Sequence, residues 1–116
     1  TTFGGHPVCC AAGLAAVDFL IEEELIQGVQ KKANLFRQLL VHPIIKSVRN
    51  EGLLMSIEFD SYETNKRLID QCIDKGVFTD WFLFAPQCMR VAPPLIITDE
   101  EIEQACSVIL SCCDSI

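Results

Sequence analysis

Between Pro7 and Ile21 the chain reads PVCCAAGLAAVDFLI, apolar on every side and interrupted only by Asp18. Pro7 suits the first position of a helix, where its missing N–H leaves nothing unsatisfied. The alanines, Gly13 and the two cysteines after it are small, so other backbone can approach closely. The sequence therefore predicts a helix over 7–21 packed on all sides. That demand is large for a chain of 116 residues, which makes one domain with a modest core. Half of the residues are hydrophobic and the mean hydropathy is +0.31. Some of this apolar surface is expected to lie against another domain or subunit. A membrane span needs about 18 apolar residues; Asp18 breaks this run and Glu22–Glu24 end or bend it.

The rest alternates between two periods. Leu25, Val29, Ala33, Phe36 and Leu40 recur at helical spacing, with Lys31, Lys32, Asn34, Arg37 and Gln38 opposite, which predicts an amphipathic helix over 24–41. Gly28 is a candidate kink or join with the first helix, and His42-Pro43 closes the second. Residues 44–49 and 53–59 read as strands, because Met55, Ile57 and Phe59 alternate with Leu54, Ser56 and Glu58. Asn50-Glu51-Gly52 reads as the turn between them. Ser61 caps a helix to about Lys75 with Leu68, Ile69, Cys72 and Ile73 buried, and Gly76 stops it. A short strand is expected near 77–79, an irregular aromatic segment over 81–87, and a strand over 88–91 stopped by Pro93-Pro94. Thr98 and Glu101 form a capping box ahead of Ile102, Ala105, Cys106, Ile109, Leu110 and Cys113 on one helical face. The order implies an α+β fold, a small antiparallel sheet with helices on one side.

Charge and cysteine usage narrow the function classes. The formal net charge is −7 and the pI about 4.6. The nine Lys and Arg are scattered, so there is no basic footprint for nucleic acid or an anionic membrane. No basic leader with a cleavage site is visible. The seven cysteines are Cys9, Cys10, Cys72, Cys88, Cys106, Cys112 and Cys113. Two adjacent pairs suit neither a disulfide framework nor a zinc site. Free thiols serving as small hydrophobes in a cytoplasmic protein are expected.

Few residues offer chemistry. Thr1-Thr2-Phe3-Gly4-Gly5 precedes a helix start; hydroxyls, permissive glycines and a helix N-terminus suit an anion such as phosphate, and equally suit a capped turn. Arg90, in MRVAPPL, sits in an apolar setting that calls for a carboxylate, from a substrate or from an acidic side chain. Trp81, Phe82 and Phe84 suit a pocket wall or a core. His6 and His42 stand apart from other ligand-type residues, which favours capping or surface roles over a metal. Glu22–Glu24 read as a solvated face. No nucleophile–base set and no carboxylate pair is evident.

Three segments carry a resemblance. TTFGGHPVCCAAGLAAVDFL resembles the S/T-T-F/Y-G-G-N-P-x-x-x-A-A stretch of class III aminotransferases, fold type I enzymes that depend on pyridoxal phosphate. VRNEGLLMSIEF is similar to their V-R-G-x-G-L-M/L-x-x-I-E, and MRVAPPLIITDEEIEQA to their L/I-R-F-A-P-P-L-x-I-x-x-E-E-I-x-x-A. The order and spacing agree along essentially the whole chain, and the ornithine and acetylornithine aminotransferases are the subgroup most resembled.

The resemblance implies a C-terminal small domain: residues 1–24 as a phosphate-side segment and linker helix, 25–116 as the α+β domain with its antiparallel sheet covered by helices. It implies that Thr2, helped by Thr1, binds the cofactor phosphate of the neighbouring subunit in a homodimer. It places Arg90 at the substrate end, beside a glutamate or a substrate carboxylate, with Trp81, Phe82 and Phe84 as candidates to shape the pocket. The parent reaction would move an amino group, terminal on an ornithine-, acetylornithine- or lysine-like donor, to 2-oxoglutarate. The Schiff-base lysine, the aspartate on the pyridine nitrogen and the glycine-rich loop of that family lie upstream of the match. The chain therefore reads as a piece lacking its cofactor domain, with no catalytic residue of its own and no activity alone. His6 replaces the usual Asn, Asn50-Glu51 replaces a Gly, and DWFLFAPQC has no close counterpart, which leaves the donor open. An aminomutase or decarboxylase on the same scaffold, a stand-alone dimerisation or binding module without cofactor, and a cysteine metal or redox site stay open as alternatives.

Overall fold

The computed structural model describes residues 2–116. Four helices and four strands follow in the order α1 (Pro7–Glu22), α2 (Leu25–Leu39), β1 (Ser47–Glu51), β2 (Leu54–Glu58), α3 (Tyr62–Asp74), β3 (Asp80–Phe82), β4 (Ala85–Val91) and α4 (Asp99–Cys113). The strands form one antiparallel sheet in the order β1-β2-β4-β3. Met55, Ile57 and Met89 of the sheet share one core with Phe36 of α2, Leu68 of α3 and Ile102, Cys106 and Ile109 of α4. All three helices thus cover the same face, as the α+β reading expects.

Local chemistry explains most of the boundaries. Ser61 Oγ accepts the Thr64 N–H at 3.2 Å and starts α3. At its other end Gly76 has φ +88. The Gly76 and Val77 N–H groups donate to the carbonyls of Ile73 and Cys72 at 3.0 and 2.8 Å, the paired closure that a left-handed glycine allows. In α4 both halves of the capping box form: Glu101 N–H to Thr98 Oγ1 and Thr98 N–H to Glu101 Oε2.

Several expectations need correction. α1 has no buried residue and does not pack on all sides within this chain; it leans on α2 alone among the main elements. The chain supplies one neighbour where a helix without a polar face needs several. The break between α1 and α2 is at Glu24, in the left-handed region at φ 49, so Gly28 is ordinary helix. The β1–β2 turn is Gly52-Leu53, because Asn50 and Glu51 pair with Met55 and Leu54. Gly52 has φ +57, and a Cβ there would lie 3.0 Å from Val29 Cγ1: the turn needs glycine for its backbone and for room beneath α2.

The 77–79 strand is displaced to Asp80–Phe82, and the segment expected to be irregular closes a β3–β4 hairpin. Asp80 and Trp81 pair with Arg90 and Met89, then the register jumps so that Phe82 faces Ala85. Pro86 lies in the skipped stretch, where it need not donate. The buried Asn65 side chain secures it, donating Nδ2–H to the Pro86 carbonyl at 2.8 Å.

Candidate functional site

The strand register builds a row of polar side chains. Arg49 on β1 faces Ser56 on β2, Ser56 faces Arg90 on β4, and Arg90 faces Asp80 on β3. Side chains alternate across a sheet, so Met55, Ile57 and Met89 turn into the helical core and this row turns to the opposite face. Thr79 Oγ1–H donates to the Arg90 carbonyl at 2.6 Å and fixes its backbone.

Arg90 is not buried, which corrects the apolar setting read from its neighbours in sequence. The period-two strand turns it outward, and its side chain is 46% exposed. Nη2–H donates to Asp80 Oδ2 at 3.4 Å, while Asp80 Oδ1 accepts the Trp81 N–H at 2.8 Å. A single long contact between half-exposed groups contributes little to stability and leaves most of the guanidinium donors free. Arg49 makes no ion pair among the described residues.

Arg49, Ser56 and Arg90, with Phe82, Leu83, Phe84 and Ala85, line a depression of about 500 Å³. Two cations and a hydroxyl form its floor; the hairpin forms an apolar wall. Leu83 and Phe84 at the tip are 79% and 95% exposed. Such a surface suits a small anion with a short hydrocarbon body.

The structure brings together only some of the expected residues. Arg90, Phe82 and Phe84 share the depression. Trp81 pairs with Met89 and turns to the helical face, where its ring meets Tyr62 edge-on at 6.0 Å. Thr2 lies in the exposed turn before α1 and does not line the depression; Thr1 lies outside the described residues. His6 sits at the N-cap of α1 without a side-chain capping bond. Gly5 has φ +78 and open space around it. Among the described residues the turn thus offers the Thr2 hydroxyl and a helix start without a side-chain cap, groups able to take a phosphate.

Other candidates resolve as structural. His42 Nε2 lies 3.1 Å from Asp114 Oδ1, tying the exit of α2 to the end of α4. The cysteines are unpaired thiols, five of them buried. Burial pushes the Cys72 and Cys106 thiols up to about 12 and Cys113 to about 11, so they hold almost no thiolate at neutral pH. Among the described residues no group of His, Cys, Asp and Glu could hold a metal ion, and no helix is long and apolar enough to cross a membrane.

Arg49, Ser56 and Asp80 were not among the residues expected from sequence. The signal was present in the alternation around Ser56, but it points to Arg49 only when the turn is placed at Gly52-Leu53.

The model of the aminotransferase class-III family matches residues 1–113. An acetylornithine aminotransferase of Caldanaerobacter subterraneus subsp. tengcongensis is 32% identical over 114 residues, 94% of this chain and 28% of the relative. An ornithine aminotransferase of Emericella nidulans is 35% identical over 119 residues, 94% of this chain and 25% of the relative. Among solved structures, the ornithine aminotransferase of Toxoplasma gondii superposes with a TM-score of 0.85 at 30% identity, over 99% of this chain and 28% of that one. The chain thus spans about a quarter of the length of these relatives.

Proposed function

We propose, from the premise that this chain belongs to the class-III aminotransferase family, that it forms the C-terminal part of a pyridoxal-phosphate-dependent aminotransferase. The parent enzyme moves an amino group from an ornithine-, acetylornithine- or lysine-like donor to 2-oxoglutarate. The observation that carries this reading is the open sheet face, where Arg90 stands half exposed beside Phe82 and Phe84. Pyridoxal phosphate supplies the electron sink and carries the amino group between donor and acceptor.

This chain's own residues then bind and orient. Arg90 takes a substrate carboxylate through its free guanidinium donors, with Asp80 as the counter-ion that keeps it extended. Phe82 and Phe84 exclude water from the substrate's hydrocarbon part; Trp81, held against Tyr62 on the helical face, takes no part in that wall. Thr2, with Thr1, holds the cofactor phosphate of the neighbouring subunit at the start of α1. Residues 1–24 serve as the phosphate-side segment and linker, and 25–116 as the small domain. The uncovered sides of α1 pack against the upstream cofactor domain and a second identical subunit. No lysine of this chain lies in a context matching the cofactor lysine, so the isolated chain is inactive.

Arg90→Gln in the full-length enzyme tests the reading. The KM for 2-oxoglutarate should rise roughly 10- to 100-fold, the loss expected for a charge-assisted hydrogen bond to a carboxylate. An unchanged KM, or turnover by the isolated 116-residue chain, would sink it. The apolar α1 also suits a dimerisation module without cofactor; absence of pyridoxal phosphate binding by the full-length protein would favour that reading.

A further inference from the structure

The tip of the β3–β4 hairpin has few ties to the sheet. On one side the β2–β4 ladder ends where Glu58 faces Cys88, with one further bond from the Phe59 N–H to the Gln87 carbonyl at 3.1 Å. On the other side β4 has no β3 partner between Met89 and Ala85. The apolar wall of Phe82, Leu83 and Phe84 therefore hangs on a last pair, Phe82 with Ala85, that the jump separates from the rest of the ladder. The first turn of α3 supplies a hold on each strand. Tyr62 meets Trp81 edge-on at 6.0 Å and ties β3. Asn65, one turn on and thus on the same helical face, donates to the Pro86 carbonyl at 2.8 Å and ties β4. Asn65 is fully buried, and its Oδ1 has no hydrogen-bond partner among the described residues. A buried acceptor left unmet costs stability. A leucine of similar size would avoid that cost but could not hold the Pro86 carbonyl.

We propose that Asn65 is a positioning residue: with Tyr62 it fixes the β3–β4 hairpin from the helical side, so that the apolar tip stands beside the depression and sets the hydrocarbon length the enzyme prefers in its substrate. The inference rests on the proposed role of Phe82 and Phe84. Asn65 itself touches no substrate, because α3 packs into the core on the other face of the sheet and no residue of α3 lines the depression. It acts through one carbonyl. Pro86 has no N–H, so that carbonyl is the one backbone hydrogen-bonding group it offers, and the bond to Asn65 fixes where β4 runs past the end of β2. A tip free to swing buries little of any substrate. A fixed tip covers the methylenes of a longer one and takes them out of water.

The test uses the full-length, cofactor-loaded enzyme and two unreactive probes, acetate and hexanoate, which share a carboxylate and differ in hydrocarbon. Ligand-observed NMR gives both dissociation constants at fixed ionic strength. Asn65→Leu should cut the preference for hexanoate over acetate roughly 5- to 10-fold and change acetate itself less than about twofold. Tyr62→Leu, at a partly exposed position, should cut it roughly 2- to 3-fold. Phe84→Ala removes part of the wall directly and should lower the preference as well. If Asn65→Leu leaves the preference unchanged, or weakens both probes equally, the inference is overturned, and a loss in Phe84→Ala then leaves the reading of the wall standing. Should Asn65→Leu not fold, Tyr62→Leu decides, and an unchanged preference there overturns the clamp. If the unaltered enzyme binds neither probe, or holds the two alike, the inference falls together with the role of Phe82 and Phe84.

Discussion

The first and last helices both carry an adjacent pair of cysteines among apolar residues, yet they end in opposite environments. α4 gathers Ile102, Cys106, Ile109, Cys112 and Cys113 on one side and buries all five. α1 has no polar side to oppose an apolar one, and every residue in it is at least partly exposed. Leu14, Val17, Phe19 and Ile21 stay 64%, 53%, 48% and 66% exposed. Hydrophobic content is thus not what decides burial inside this chain. A striped helix is satisfied by one sheet and its neighbours; a helix apolar all round needs cover on several sides. The same contrast separates Cys9-Cys10, exposed, from Cys112-Cys113, buried.

Thiol labelling gives the widest margin for breaking this comparison. In the 116-residue chain Cys9 and Cys10 should react with an alkylating reagent at once. Cys112 and Cys113 wait for the core to open and should react on the order of 1,000-fold more slowly. Equal rates would mean that α4 is no better packed than α1. Truncation comes next. Ile109→Ala, in the core of α4, should cost about 2–5 kcal/mol in urea unfolding, whereas Leu14→Ala in α1 should stay within about 0.5 kcal/mol. A Leu14→Ala loss of the same size would show that α1 already has its cover.

Alkaline pH separates the two ends by a different route. Cys72, Cys106 and Cys113 are held above their ordinary value of 9.0, at about 12, 12 and 11, chiefly because burial penalises the thiolate. For Cys72, the nearby Cys112 adds to the penalty. The unfolded chain therefore loses these protons first as pH rises. The stabilisation is fully present below about pH 8.5 and declines as pH climbs from there towards the folded values, by about 1.4 kcal/mol per pH unit for each thiol. Urea midpoints from pH 7 to 11 check the limb. Cys113→Ala should flatten it by one thiol's share, and an unaltered slope would remove the assigned cause.

What was legible in the sequence follows the range of the interaction. The cap at Ser61, the stop at Gly76 and the box at Thr98–Glu101 depend on atoms a few residues apart, and they form where expected. β3 was misplaced because its position depends on pairing with β4 around Pro86, a choice made across the hairpin. Arg49 was missed for a related reason. A turn placed at Asn50-Glu51-Gly52 ends β1 before its pairing with β2 can be followed. The observed turn at Gly52-Leu53 extends β1 through Glu51 and sets Arg49 opposite Ser56. Arg90 was singled out from its apolar neighbours, although the strand turns it away from them. The packing read for α1 was sound as a demand of the residues, but α2 alone does not meet it.

The smallest effect sharpens the comparison where the two helices begin. Thr98 ends a strand-like approach to α4 and its hydroxyl takes the Glu101 N–H, while the Glu101 carboxylate takes the Thr98 N–H. Removing the hydroxyl in Thr98→Ala leaves one N–H of the first turn to water and loosens the reciprocal bond, a cost of about 1 kcal/mol. His6 holds the corresponding place at α1 and makes no such bond; Pro7 follows with no N–H to satisfy. His6→Ala should therefore change urea stability by less than about 0.3 kcal/mol. The pair of substitutions asks one question of two helix starts: whether each is closed by its own side chains. A loss in His6→Ala equal to that in Thr98→Ala would mean that the α1 start is capped after all. Its N–H groups would then not be free for a phosphate, and the role proposed for Thr2 would lose its structural basis.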